Sequence, residues 1–336
     1  MVRELGGVHA QVQASAELQL AARVDGLTQQ DVREALWRDR LLVKAWTLRG
    51  TLHLHPAGEL SLWFAARRAV AGSREGLEEW RDPAGLLHPP VGADEVKEIR
   101  GAVWDALDGR CLLREELAAE VVRRVGSKHR RRLLSGFAFF TGELCQGPPQ
   151  GNKVTFVRPD QWIEDWEPVG EQEALDEVCR RYLHTYGPAR PADFRSWFGL
   201  AAFDRLELEE VDVEGHRAFV LAGDTEFAEA VPTLRLLPEY DVYVMGFRER
   251  QQLVPEAVRA QVAAHGRGRY EGPAGVRFLF VDGVAAGLWE RKKGGKRIEL
   301  KVSPAKKLKR AEHKQLADET ERMGAFLGLE PVLTVE

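Results

Sequence analysis

Stretches with apolar residues at helical spacing are followed along the chain by stretches that alternate, and this order recurs. Glu17 to Val24 (ELQLAARV) has helical character, and Gly26 ends it. Thr28 stands as N-cap of a second helix through Trp37, with Asp31 as a shortened carboxylate at the capping-box position. The following VKAWTLRGTLHLHP has period 2. Thr47, Arg49, Thr51, His53 and His55 share one parity, and Leu48, Gly50, Leu52 and Leu54 the other. As one strand it carries a whole face of hydrogen-bonding groups; with a turn at Arg49-Gly50 it is a hairpin.

The theme returns more clearly at residues 93–158. Asp94 to Leu107 is helical up to Asp108-Gly109. Leu112 to Val125 is a second helix, and Lys128 to Thr141, capped by Ser127, a third. Leu144 to Val157 then forms a two-stranded ribbon around a Gly-Pro-Pro-Gln-Gly turn. Three helices and a hairpin is winged-helix order, with the basic third helix in the place of a recognition helix. Residues 171–222 give another pass: helices Glu171 to Tyr186, Pro191 to Trp197 and Ala201 to Leu208, then a hairpin Val211 to Val220 turning at Glu214-Gly215. The remainder is β-rich and then helical. Leu234 to Leu237 and Tyr240 to Met245 flank Pro238-Glu239. Val276 to Val281, Val284 to Arg291 and Arg297 to Val302 form a meander, and Lys306 to Leu327 is one long helix. Linkers fall at Asp82 to Gly92 and Arg158 to Gly170. The expected fold is α+β: winged-helix units at 1–81 (with a following helix), 93–158 and 171–222, then a region at 223–336 with a hairpin and a terminal helix.

Composition agrees with a folded chain. Of 336 residues, 44% are hydrophobic and 30% charged, an ordinary globular balance with room for two or three units. Cys111, Cys145 and Cys179 show no CxxC or CxH spacing, which points to a reducing cytoplasm and against a zinc ribbon or disulfide framework. No apolar run reaches about 18 residues, so no membrane role is expected. Charge changes the picture more. Arg123 to Arg132 carries a net +6 and Glu290 to Arg310 a net +8, leaving −18 for the rest of a chain whose formal net charge is −4. Two basic islands on an acidic body suit an anionic polymer, since phosphate neutralisation needs clustered Lys and Arg. The competing reading is a pair of solvated faces.

Common enzyme signatures are missing: no GxGxxG after a strand, no P-loop, no HExxH and no GxSxG. His53-x-His55 has no third ligand nearby in sequence, so no metal site is expected. Around Gly294-Gly295, residues Arg291, Lys292, Lys293, Lys296 and Arg297 make a hairpin tip too cationic to pack inside, suited to lie against phosphates. Near the N-terminus, His9, Gln11 and Gln13 alternate with Val8, Ala10 and Val12, so an extended conformation aims three polar groups one way.

Several segments carry a resemblance. LGGVHAQ, LAARVDGLT and WTLRGTLHLHP, then TGELCQGPPQGNKVTFVRP, YGPARPADFRSWFGL and LLPEYDVYVMGFRER, resemble in order the AlkZ/YcaQ family of bacterial DNA glycosylases. The resemblance implies three tandem winged helices in a C shape around a DNA-binding concavity, the first of them short at its N-terminus here. It implies excision of bulky or cross-linking N7-alkylated purines from double-stranded DNA, assisted by a basic hairpin. The implied enzyme is a monomer without metal or cofactor, cytoplasmic and nucleoid-associated when on DNA. Arg49, Thr51 and His53 fall in a segment implied to lie near the DNA backbone or the site, and Tyr240 and Asp241 in one implied to line the site, with a buried acid capping a turn as the equal alternative there. A non-catalytic winged-helix DNA-binding protein, such as a transcriptional regulator, is the alternative, because fold does not imply function.

The family signature is Gln-x-Gln, or Gln-x-Asp, upstream of the segment resembling LAARVDGL. Counting back without gaps places its two positions on His9 and Gln11, so histidine replaces the first glutamine. The other register, Gln11-Val12-Gln13, restores Gln-x-Gln at a two-residue shift. Cationic N7-alkylguanine departs neutral without a general acid, so the protein must hold the sugar and place a water at C1′. Amides orient a water but cannot take its proton. An imidazole, with an ordinary pKa of about 6.5, does both. His9 is therefore the expected water activator and Gln11 its positioning partner.

Overall fold

The computed structural model describes residues 1–71, 76–82, 85–130, 133, 144–200, 203–226, 229–265 and 275–336. It is a mixed α+β chain that divides into two compact units, one of Met1–Arg33 with Cys179–Glu336, the other Glu34–Val178. The first unit opens with β1 (Val8–His9) and a helix at Gln13–Ala21. The extended stretch expected over residues 8–13 is thus only two residues long before the chain bends and Gln13 enters the helix. Thr28 and Asp31 cap the next helix, Gln29–Trp37, reciprocally. Asp31 accepts from the Thr28 amide at 2.8 Å and hydroxyl at 2.6 Å, and Thr28 Oγ1 accepts from the Asp31 amide at 3.2 Å.

In the second unit the ambiguous stretch is a hairpin. β2 (Leu42–Trp46) and β3 (Leu52–Pro56) pair antiparallel from Leu42↔Pro56 to Trp46↔Leu52, joined by a 3-10 turn at Leu48–Gly50 where Arg49 has φ 52°. A helix at Leu60–Ala71 and a small ribbon, β4 (Trp80–Arg81) with β5 (Leu87–His88), follow. Helix Ala93–Ala106 starts on Asp94 and Glu95, which suit the positive end of its dipole, and buries Val96, Ile99, Ala102, Val103 and Ala106. Leu112–Leu113 is a strand, β6, rather than the first turn of a helix. The helix begins at Arg114, where Glu116 accepts the Leu113 amide at 2.8 Å, and runs to Val125. These faces close over Leu133, Leu144 and Phe156 into one apolar core.

The third helix expected at Lys128–Thr141 lies mostly outside the described residues. The ribbon is present as β7 (Cys145–Gln150) and β8 (Lys153–Val157), but it turns at Gly151-Asn152. Pro148 and Pro149 sit inside β7, where the register shifts between Gly147 and Gln150, because proline has no amide to give a regular ladder. Within the unit the strands run β3-β2-β7-β8-β6. A short helix, Pro159–Trp162, follows.

Helix Glu171–Tyr186 leads back into the first unit, and Pro191–Phe198 begins with proline as expected. Among the described residues Ala201–Leu208 is not a helix. β9 (Leu208–Val213) starts there because its pairing with β10 (His216–Leu221) extends to Leu208↔Leu221, and Ala222 donates to the Glu207 carbonyl at 3.0 Å. Tyr182, Tyr186, Phe194, Trp197 and Phe198 pack around this joint with ring centroids 5.0–6.1 Å apart.

The last sheet runs β11 (Leu234–Leu237), β12 (Phe278–Val281), β13 (Val284–Gly294), β14 (Arg297–Pro304), β15 (Glu330–Val335). All neighbours are antiparallel except β14 and β15, which are parallel and connected through the helix Arg310–Leu327. The stretch read as extended at Tyr240–Met245 is instead a short helix, Val242–Met245, because Asp241 caps it by accepting the Tyr243 amide at 2.9 Å. A further helix, Glu256–His265, packs Val258 and Val262 into the core formed by Leu237, Val244, Phe278, Phe280 and Leu288.

Candidate active site

Helix Gln13–Ala21 is polar, yet Ser15, Glu17 and Gln19 on it are buried. Each has a distant partner within the first unit. Ser15 Oγ donates to the Glu239 carbonyl. Gln19 Nε2 donates to the His9 carbonyl at 3.0 Å, while its Oε1 accepts the Val242 amide at 3.2 Å. Glu17 accepts from Gln29 at 2.5 Å and Arg33 at 3.3 Å. One turn on, Arg23 forks onto Asp241 at 2.6 and 2.9 Å and donates to the Gln19 carbonyl at 3.0 Å. Burial works against the Arg23 cation, but Asp241 outweighs it and holds its pKa above the ordinary value. The helix is thereby laced to the segment 239–242, some 220 residues away in sequence.

What this lacing positions is a ring pair. His9 is 4% exposed, and its imidazole lies 5.2 Å from the Tyr240 ring at 36°. Tyr240 has φ 63°, a left-handed conformation that a bulky residue adopts only when its surroundings hold it. Beside it is a cavity of about 360 Å³ lined by Val12, Glu239, Tyr240, Arg277, Trp289 and Glu290, with Gly275, Val276 and Leu288 completing the wall. Val12 stands between Gln11, which is exposed, and Gln13, whose amide donates to Glu17 at 3.4 Å. Arg277 forks onto Glu239 at 2.6 and 3.1 Å, and Trp289 Nε1 donates to the Leu237 carbonyl at 2.9 Å. Burial pushes the Glu239 carboxyl up, but the Arg277 bonds outweigh it and leave its pKa below the ordinary carboxylate value.

The other sequence-derived residues divide. Asp241 is 1% exposed and occupied by Arg23 and the Tyr243 amide, so it shapes the site without lining the cavity. Lys292, Lys293, Lys296 and Arg297 are exposed around a turn at Gly295-Lys296, and Arg297 forks onto Glu330 at 2.8 and 3.4 Å. Arg291 is half-buried. Burial lowers its pKa, opposed by the nearby negative charges of Glu239 and Glu17. Arg49, Thr51 and His53 belong to the second unit. Arg49 is exposed at its turn, Thr51 Oγ1 donates to the Leu48 carbonyl at 3.0 Å, and His53 is 1% exposed with Nδ1 3.0 Å from the Thr51 carbonyl. His55 meets Thr47 Oγ1 at 2.8 Å, and no group of His, Cys, Asp or Glu among the described residues has metal-binding geometry. In the other basic island, Arg123 and Arg124 face Glu120, and Lys128 faces Glu95.

Comparison with known proteins decides the class. A model of the family described as "DNA glycosylase AlkZ-like" matches residues 2–326, nearly the whole chain. The chain belongs to the AlkZ-like DNA glycosylase family. It is 34% identical over 316 residues to an interstrand DNA cross-link repair glycosylase of Streptomyces sahachiroi, covering 86% of this chain and 81% of that one. It also matches the structure of Streptomyces sahachiroi DNA glycosylase AlkZ with a TM-score of 0.79 and 29% identity, over 100% of this chain and 92% of that one. The family resemblance read from the sequence is thus shown, and with it the glycosylase class. Among the described residues no helix is long and apolar enough to cross a membrane.

Sequence reasoning missed Ser15, Gln19, Arg23, Glu239 and Arg277. A local signal did exist for two of them: Ser15 and Gln19 stand at i and i+4, on one face of the helix, in a segment where Gln13, Ser15, Glu17 and Gln19 alternate with Ala and Leu.

Proposed function

We propose that this AlkZ-like glycosylase excises N7-alkylated purines from double-stranded DNA, including purines held in an interstrand cross-link, by water attack at C1′. The observation that carries the reading is the His9–Tyr240 ring pair beside the cavity, with Val12, next to Gln11, in its wall. The C1′–N9 bond breaks and its electron pair neutralises the cationic base, which leaves without a proton. The water oxygen bonds to C1′ and gives up one proton to the His9 imidazole, while the Gln11 amide holds the water in line. That Gln13 lies in a helix with its amide turned to Glu17 supports the His9/Gln11 register over Gln11/Gln13. The cationic hairpin of Lys292, Lys293 and Lys296 would meet the duplex; in the second unit Arg49, exposed at its turn, is suited to a phosphate, while Thr51 and His53, bonded to backbone carbonyls, would shape that turn.

The test is abasic-site formation, read by alkaline cleavage, on duplexes carrying N7-methylguanine or a nitrogen-mustard cross-link. Wild type should cleave, while His9→Ala and Gln11→Ala lose at least about 100-fold, the usual yield of one acid–base or positioning group. Gln13→Ala should retain most activity. Abolition by Gln13→Ala with His9→Ala only mildly affected would overturn the register. Tight binding without base release would favour a non-catalytic DNA-binding module.

A further inference from the structure

The cavity beside Tyr240 has an unexpected charge for a protein that grips a polyanion. Its lining side chains include two carboxylates, Glu239 and Glu290, against one guanidinium, Arg277. Two aromatic residues, Tyr240 and Trp289, complete its polar side. A planar cation is what it suits, since aromatic faces and a carboxylate both stabilise positive charge. At about 360 Å³ the space is in the range of small-molecule sites.

Glu239 is the better placed of the two carboxylates. It is 9% exposed, and its backbone carbonyl is fixed by Ser15 on the helix that follows Gln11 and begins at Gln13. Both its carboxylate oxygens are gripped by Arg277, whose guanidinium also lies 5.7 Å from the Trp289 ring. The fork fixes the carboxylate's orientation and keeps it ionised at neutral pH. Its neighbour in sequence is Tyr240, the ring packed on His9. Position, charge and orientation are therefore set before any substrate arrives.

We infer that Glu239 is a specificity-determining residue, through which the cavity prefers a positively charged purine over a neutral one of the same shape. The inference rests on the glycosylase reading above and adds to it the residue that senses the charge of the base. A cationic purine is drawn to the Glu239 carboxylate and the flanking ring faces before bond cleavage, and a neutral purine is not. Discrimination then begins at binding, ahead of the chemistry at C1′.

The test separates this from catalysis by using bases with no bond to cleave. The protein on a duplex containing a tetrahydrofuran abasic site is titrated with 7,9-dimethylguaninium, a fixed cation, or with neutral 9-methylguanine, following the change in tryptophan fluorescence. Wild type should favour the cation by about tenfold, a modest share of what one preorganised charge can supply. Glu239→Gln, which keeps an acceptor for Arg277, should bring the ratio close to one, and Glu239→Asp should retain part of it. A wild-type ratio near one overturns the inference whatever the variants do, so it stays testable even if Glu239→Gln folds poorly. An unchanged ratio in a folded Glu239→Gln protein also overturns it. Abasic-site formation by the same wild-type preparation on N7-methylguanine DNA reports separately on the glycosylase reading.

Discussion

Replacing Asp241 by Asn tests whether the site is held by its long-range polar network. The carboxylate is fully buried, and Arg23 is 18% exposed. Asparagine caps a helix about as well as aspartate, so the bond to the Tyr243 amide survives and the loss is that of the charge facing Arg23. Removing one partner of a buried ion pair costs about 3–5 kcal/mol. Water reaches part of Arg23, and its bond to the Gln19 carbonyl remains, so about 3 kcal/mol is the appropriate end. In a unit of about 190 residues each kcal/mol moves Tm by about 2–4 °C, which gives a fall of roughly 6–12 °C.

Calorimetry on wild type, Asp241→Asn, Arg23→Met and the double variant measures this directly. The double variant should lose less than the two single losses combined, with a coupling on the order of 2 kcal/mol. A second readout is base release at 25 °C. Tyr240 at φ 63° stores about 1–3 kcal/mol that its neighbours must hold, so loosening Asp241 should slow release well below the unfolding temperature. A Tm within about 2 °C of wild type, or strictly additive losses, would refute the argument that the pair anchors the segment.

Three further outcomes follow from the same geometry. Gln19→Leu removes the donor to the His9 carbonyl and the acceptor of the Val242 amide in a buried setting, which should cost about 1–3 kcal/mol in thermal unfolding and slow base release. Changing Lys292, Lys293 or Lys296 to Gln should each reduce the log–log salt slope of DNA binding by about 0.9, seen by fluorescence anisotropy at several salt concentrations. Arg297→Gln should change it less, because Glu330 already holds that guanidinium at 2.8 Å. Glu239, with its pKa depressed in the fold, contributes stability above the unfolded value of about 4.3 and loses it as pH falls through the folded one. The Tm advantage of wild type over Glu239→Gln should therefore shrink on acidification from pH 6 to pH 3.

Much of the fold was legible wherever local rules agree. Helix Glu171–Tyr186 ends where Gly187-Pro188 forbids its continuation, and the β9–β10 turn falls at Glu214-Gly215, both with positive φ. The illegible parts are those where a distant partner overrides the local signal. Val242–Met245 carries two β-branched valines and a tyrosine and reads as a strand, but Asp241 caps it into a helix while held by Arg23. β15 carries a proline and little alternation, and it forms because the preceding helix returns the chain parallel to β14. At the candidate site, His9 and Gln11 stood out by their alternation with apolar residues, and the resemblance pointed to them and to Tyr240. Glu239 and Arg277 were not, because nothing in sequence pairs residues 38 positions apart.

Helix Gln13–Ala21 shows why the failure falls at the site. A helix chosen for stability would present an apolar stripe to the core, and its pattern would announce it. This one buries Ser15, Glu17 and Gln19, each of which must recover its lost hydration from a partner of fixed direction. Those partners are the Glu239 carbonyl, the His9 carbonyl with the Val242 amide, and the Gln29–Arg33 pair. Apolar side chains of equal volume would pack as well but would leave β1 and the segment 239–242 free to shift against the helix. Polar burial gives direction where apolar burial gives only proximity, and holding the His9 ring against the Tyr240 ring beside the cavity takes direction. The hydrophobic pattern is therefore weakest where the chain brings His9, Tyr240 and Glu239 together.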